Sequence, residues 1–171
     1  MTDWAAIYAP LIGSRIEALK WRPLTCDTPL VVENYRAPSF CFTGAAQLII
    51  AKDRELFLTW TQVGRNMVLE ASSERRWGLH VLDSVMAYAD EPWISVLDST
   101  LAGARFFTFP DIEGGHAVAV RHDLLLNGKP QQLWIGVGGS EGINDTDDLW
   151  VGAGIDPPNV GDLIEIGRVG A

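Results

Sequence analysis

Few side chains in this sequence could do chemistry: three histidines, two cysteines and 22 carboxylates among 171 residues. His116 lies near Glu113, and His122 stands beside Asp123. Such pairings are what general acid–base catalysis draws on. The pattern predicts a strand over residues 116–122, in which the two histidines face the same way. At about 3.3 Å per residue they stand roughly 20 Å apart. They therefore share neither a metal nor a substrate atom. His80 is isolated in an apolar stretch. Cys26 and Cys41 have neither CxxC nor zinc spacing, and Cys41, in the run Phe40-Cys41-Phe42, reads as a small core residue. There is no GxSxG elbow, HExxH, Walker motif or Cys–His signature. Gly114-Gly115 and Gly138-Gly139 read as turns, and Arg75-Arg76-Trp77 as a solvated turn too small for a nucleic-acid footprint. The sequence leans away from an enzyme, and no cofactor is expected.

The carboxylates are more informative. Residues 130–167 contain no Lys, Arg or His but seven acids: Glu141, Asp145, Asp147, Asp148, Asp156, Asp162 and Glu165. The net charge of −9 is uneven. Residues 1–112 hold 13 acids against 10 bases, and residues 113–171 hold 9 acids against 3 bases. A field of this sign repels nucleic acid and anionic membranes. It favours solubility and encounter with cationic partners.

The same stretch carries a near-repeat, Leu133-Trp134-Ile135-Gly136 and Leu149-Trp150-Val151-Gly152. Read as strands, residues 131–137 and 148–153 each have an aliphatic face and a Trp/Gly face. Paired as a hairpin, they keep these faces matched when Trp134 opposes Trp150, or when Trp134 lies over Gly152 and Trp150 over Gly136. The second register fills the gap a glycine leaves and is preferred. Both place two indoles beside an acidic loop, an environment that holds a cationic side chain by cation–π contact and charge pairing. Trp134, Glu141, Asp145, Asp147, Asp148, Trp150 and Asp156 are thus the candidate partner-binding residues. The competing reading buries both indoles beneath the N-terminal helix. Asn144, Asp145, Asp147 and Asp148 form a weak oxygen-ligand set for calcium, lacking the turn glycine and the distal glutamate of an EF-hand loop.

These groups must be positioned by a strand-rich chain. Thr2 and Asp3 can cap a helix whose apolar face runs through Trp4, Ile7, Tyr8, Leu11, Ile12, Ile16 and Leu19, with Pro10 a kink or the opening of a second helix and Trp21-Arg22-Pro23 the stop. Strands are predicted over 30–35, 40–42, 47–51, 56–61, 67–71, 105–109, 116–122, 131–137, 148–153 and 162–166, with a hairpin turn at 52–55. Residues 79–90 fit either a helix or a strand. Without βαβ alternation the fold class is α+β: mostly antiparallel sheet, as a meander or partly closed barrel, with an N-terminal helix and in one reading a central helix. A chain of 171 residues forms one domain with its own core. It has no secretory signal pattern and no run of 18 apolar residues, so the cytoplasm is the expected location.

The expected function is a non-catalytic interaction domain that binds a basic protein through its C-terminal acidic face, in character like an inhibitor or immunity protein. The alternative is a small-molecule-binding protein or enzyme whose pocket is lined by aromatics such as Trp60, Trp134 or Trp150, since the chain has seven Trp, six Phe and three Tyr. Weak calcium binding at 144–148 is the third reading. No nucleic acid or membrane partner is expected.

Overall fold

The computed structural model describes residues 2–24, 27, 34, 36–51, 54–73, 85–86 and 92–170. The chain opens with a short helix, α1 (Trp4–Tyr8), capped by Asp3, whose Oδ1 accepts from the Ala6 N–H at 3.0 Å. A 3-10 turn follows at Ala9–Leu11, with Pro10 at a position where its missing N–H costs nothing. Gly13, at φ +81°, then turns the chain into a strand. The helix expected to reach Leu19 therefore stops at Leu11. Ile16, Leu19, Trp21 and Pro23 belong to strand β1 (Ile16–Pro23) and point into the core. A bulge between Ile16 and Ala18 puts Ile16 and Leu19, three residues apart, on one face, which imitates helical spacing.

The rest is antiparallel sheet in two open layers. One layer has the order β5 (Asn66–Ser72), β4 (Arg54–Val63), β3 (Gly44–Ile50), β1, β6 (Val85–Met86). The other has the order β12 (Ile164–Gly170), β7 (Thr100–Thr108), β8 (Ala119–Leu126), β9 (Lys129–Gly139), β11 (Leu149–Ala153), β2 (Ser39–Phe42), with β10 (Gly142–Ile143) paired to β9. Consecutive strands β3-β4-β5 and β7-β8-β9 are meanders, but neither sheet closes into a barrel. The chain changes layers between β2 and β3 at Gly44, where an added Cβ would lie 2.2 Å from the Arg22 carbonyl oxygen. Asn127 and Gly128, both at positive φ, make the two-residue turn joining β8 to β9.

The inner faces of both sheets share one apolar cluster, including Leu19, Leu48 and Leu58 from one layer and Phe106, Val120 and Ile135 from the other. Alpha1 packs against this core: Trp4 stacks on Phe106 with centroids 4.8 Å apart, and Tyr8 meets the same ring edge-on. Within the ambiguous stretch 79–90, Val85–Met86 is a strand paired to Trp21 and Lys20. The remainder of that stretch, the turn residues 52–53, Arg75-Arg76-Trp77, His80, Cys26 and most of the expected strand 30–35 lie outside the described residues. No helix among the described residues is long and apolar enough to cross a membrane.

Candidate interaction surface

The two Trp/Gly strands pair in one of the two registers their patterns allow. Trp134 lies opposite Gly152 and Trp150 opposite Gly136, while Leu133, Ile135, Val137, Leu149, Val151 and Ala153 face the main core. The glycines are filled by other groups than the opposing indoles. A Cβ on Gly152 would meet the Trp150 ring at 2.4 Å, and one on Gly136 would meet Ile143 at 2.5 Å. Trp150 therefore lies along its own strand, and Ile143 drops onto Gly136.

Trp134 and Trp150 do not reach the surface, at 0 % and 2 % exposure. They belong to a second, smaller core on the outer face of the larger sheet, with Phe107, Val118, Ala119 and Ile143. Its cover is not α1, which packs on the main core. Three segments close over it: residues 109–118 contribute Phe109 and Ile112, residues 139–148 contribute Ile143, and residues 154–163 contribute Ile155 and Leu163. The cation position over Trp134 is filled from within, by the Arg121 guanidinium 5.9 Å from the ring centroid. The indole N–H donates to Asp156 Oδ1 at 3.1 Å, and the same oxygen accepts from Gln132.

The covering segments turn their carboxylates outward. They hold Asp111, Glu113, Glu141, Asp145, Asp147, Asp148, Asp156 and Asp162, and no Lys or Arg. All are exposed except Asp148, which is half-buried. Two of the segments are clipped together by Asn159, whose side chain accepts from the Ile143 N–H and donates to the Ile143 carbonyl. Asp145 Oδ1 accepts from the Met67 N–H at the start of β5, and Asp148 Oδ1 accepts from the Thr43 hydroxyl beside β2. These bonds anchor the cap to both sheets. Glu165 lies off the cap, ion-paired to Arg105 and Arg168. The side chains of Glu141, Asp147 and Asp162 have no hydrogen bond or ion pair among the described residues. Sequence reasoning found the 130–167 acids but missed Asp111 and Glu113. The signal was there in the base-free run 109–118, in which His116 is the one titratable nitrogen, yet only the fold brings that run beside the others.

The calcium candidates diverge. Asn144 Oδ1 accepts from the Gly139 N–H, while Asp145 and Asp148 turn to β5 and to Thr43. Among the described residues no group of three or more His, Cys, Asp or Glu could hold a metal ion.

The histidines are separated by more than distance. Beta8 begins at Ala119, so His116 is not in the strand of His122 as expected, because a 3-10 turn at Glu113–Gly115 holds it outside. His122 is fully buried among the inner-face residues. Its Nδ1 lies 3.1 Å from the Leu133 carbonyl, an acceptor only, so Nδ1 donates; Nε2 then accepts from the Tyr8 hydroxyl at 2.8 Å. Burial pushes the His122 pKa from 6.5 down to about 4, and the Tyr8 phenol well above its usual value. Asp123 projects to the opposite face, where it pairs with Arg105 and Arg121, so it is no base partner for His122. Cys41 carries a free, half-buried thiol whose pKa is raised by burial and by Asp148 and Asp27.

Among the described residues the cavities include open surface grooves. A groove of about 380 Å³ beside α1 is lined by Asp3, Ile7, Thr61, Glu70 and His116. One of about 230 Å³ touches Phe40, Cys41 and Trp150. No protein-family model, no curated protein and no solved structure matches the chain.

Proposed function

We propose that the protein is a non-catalytic interaction domain that captures a basic protein surface on the acidic cap over its second core. The observation that carries this reading is the cap's construction. Three segments distant in sequence share one apolar underside and present eight carboxylates with no Lys or Arg among them. Asn159, Asp145 and Asp148 hold two of the three loops in place, so little ordering of these remains to be done on binding. Like-signed charge on a rigid platform accelerates encounter with a cationic partner and sets specificity. The recognition is by charge, since both indoles are enclosed.

Glu141, Asp147 and Asp162 allow a clean test because their side chains hold nothing else together. The wild-type chain, used as bait in an extract of its native host at low salt, should retain a basic protein that high salt releases. A Glu141→Lys, Asp147→Lys, Asp162→Lys bait with an unchanged circular dichroism spectrum should not. Equal retention by both baits, or none by either, would count against the reading.

A second reading, small-molecule binding, has one observation behind it: the groove beside α1 gathers Asp3, Thr61, Glu70 and His116 with the apolar Ile7 and Leu69. It differs from the aromatic-lined pocket expected from composition. Ligand-induced shifts of the His116 ring signals in an NMR screen would favour it, and their absence across a broad polar library would remove it.

A further inference from the structure

Beta12 ends the larger sheet and has one neighbour, β7. Among the described residues, no backbone group of β12 bonds to anything beyond that pairing. Bare edges are templates for strand addition, and proteins blunt them with lysine, proline, other charges or bulges. Beta12 has no lysine or proline, and its bulge and its charges, Glu165 and Arg168, are features that a second copy can match. It exposes Ile164 at 47 % and Ile166 at 40 %, with Val160 at 37 % just before it. Half of the six exposed large hydrophobics among the described residues thus lie within seven positions.

The strand is also self-complementary. Glu165 pairs with Phe107 and Gly167 with Phe106, so Ile166 is the extra residue of a bulge. The bulge shifts the alternation by one. Glu165 and Arg168, three apart, therefore share the outer face and are ion-paired at 2.8 Å. Ile164 and Val169 share the inner face, opposite Thr108 and Ala104. A two-fold pairing centred on Glu165 or on Arg168 would oppose like charges. One centred between Ile166 and Gly167 matches both faces: Glu165 meets Arg168 twice, Ile164 meets Val169 twice, and both Ile166 side chains approach the axis.

We propose that β12 pairs antiparallel with β12 of a second copy in this last register, joining two sheets into one across a two-fold axis. The pairing residues 164–169 lie outside the three cap segments, though Val160 belongs to one, and the two readings are tested separately. Each Glu165 then lies between its own Arg168 and Arg168 of the partner subunit.

Sedimentation equilibrium of the full chain tests it, at about 150 mM salt so that the like net charges are screened beyond about 8 Å. The mass should rise from 18.7 kDa towards twice that value with concentration. Hydrogen exchange should slow at the β12 amides over the same range. Arg168→Glu opposes like charges, and Ile166→Lys puts two cations at the axis. Both side chains are exposed, and each variant should weaken dimerisation about tenfold or more, the scale of a 1.4 kcal/mol loss, while the thermal midpoint of the monomer shifts by no more than a few degrees, as expected for loss of an exposed ion pair such as that of Arg168 with Glu165. A wild type that stays monomeric up to about millimolar concentration, the upper end of weak association, overturns the proposal. So does a dimer without added protection at β12, or one that neither substitution weakens.

Discussion

Acidification should destabilise this protein through one side chain, His122. The folded protein holds it neutral between the Tyr8 hydroxyl and the Leu133 carbonyl, fully enclosed. Its pKa is about 4 when folded and 6.5 when free. Below 6.5 the unfolded chain takes up a proton that the folded chain refuses until pH falls to about 4. The stability due to the neutral ring is thus complete above 6.5 and declines steadily down to 4. Each tenfold difference in proton affinity between the two states is worth about 1.36 kcal/mol, so the loss is about 2 kcal/mol between pH 7 and pH 5 and about 3 kcal/mol in all. That is a large share of the roughly 5–15 kcal/mol typical of a domain. Urea unfolding of wild type and His122→Gln at the two pH values isolates the effect, since all other titrating groups are common to both. Wild type should lose about 2 kcal/mol more than the variant on going to pH 5. Equal losses would refute the reasoning, as would an NMR titration in which the His122 ring protonates near its ordinary value of 6.5.

Three further outcomes follow from the same geometry. Tyr8→Phe leaves His122 Nε2 without a donor in the core and should cost about 1–3 kcal/mol, read by chemical denaturation. Gly152→Ala drives a Cβ into the Trp150 ring and should cost about 1–3 kcal/mol, seen as a lowered thermal midpoint and an altered near-ultraviolet dichroism spectrum. Asp156→Ala removes the acceptor of the enclosed Trp134 N–H and should cost about 1–2 kcal/mol with a change in tryptophan emission, whereas the uncommitted Asp147→Ala should change stability by less than about 0.5 kcal/mol.

Where neighbours in sequence are also neighbours in space, the pattern was readable. The alternation of Leu56, Phe57 and Leu58 marks β4, and the parity of the two Trp/Gly segments fixes which faces point inward and restricts their register. Local irregularity defeated the same reasoning elsewhere. A bulge gave β1 a three-residue spacing that passes for helix, and a 3-10 turn took His116 out of β8. Long-range closure was invisible. Periodicity gives the Trp134 and Trp150 side chains one direction but not what lies on top of them, and Phe109, Ile112, Ile155 and Leu163 arrive from separate loops. Nor can charge counting tell a docking carboxylate from a fastener. Asp148 reaches Thr43 across 105 positions and Asp145 reaches Met67 across 78, so part of the acidic run holds the cap together.

The proposed role of the acidic cap is tested most directly by the association rate of a basic protein retained from the host extract, followed by surface plasmon resonance as ionic strength rises. On the proposed reading, the field of the eight cap carboxylates would steer the encounter. Between about 50 and 500 mM salt the association rate should therefore fall about tenfold or more while the dissociation rate changes little. The Glu141→Lys, Asp147→Lys, Asp162→Lys variant should start slow and stay flat. A wild-type association rate that does not respond to salt, or one the triple variant matches, would contradict the account.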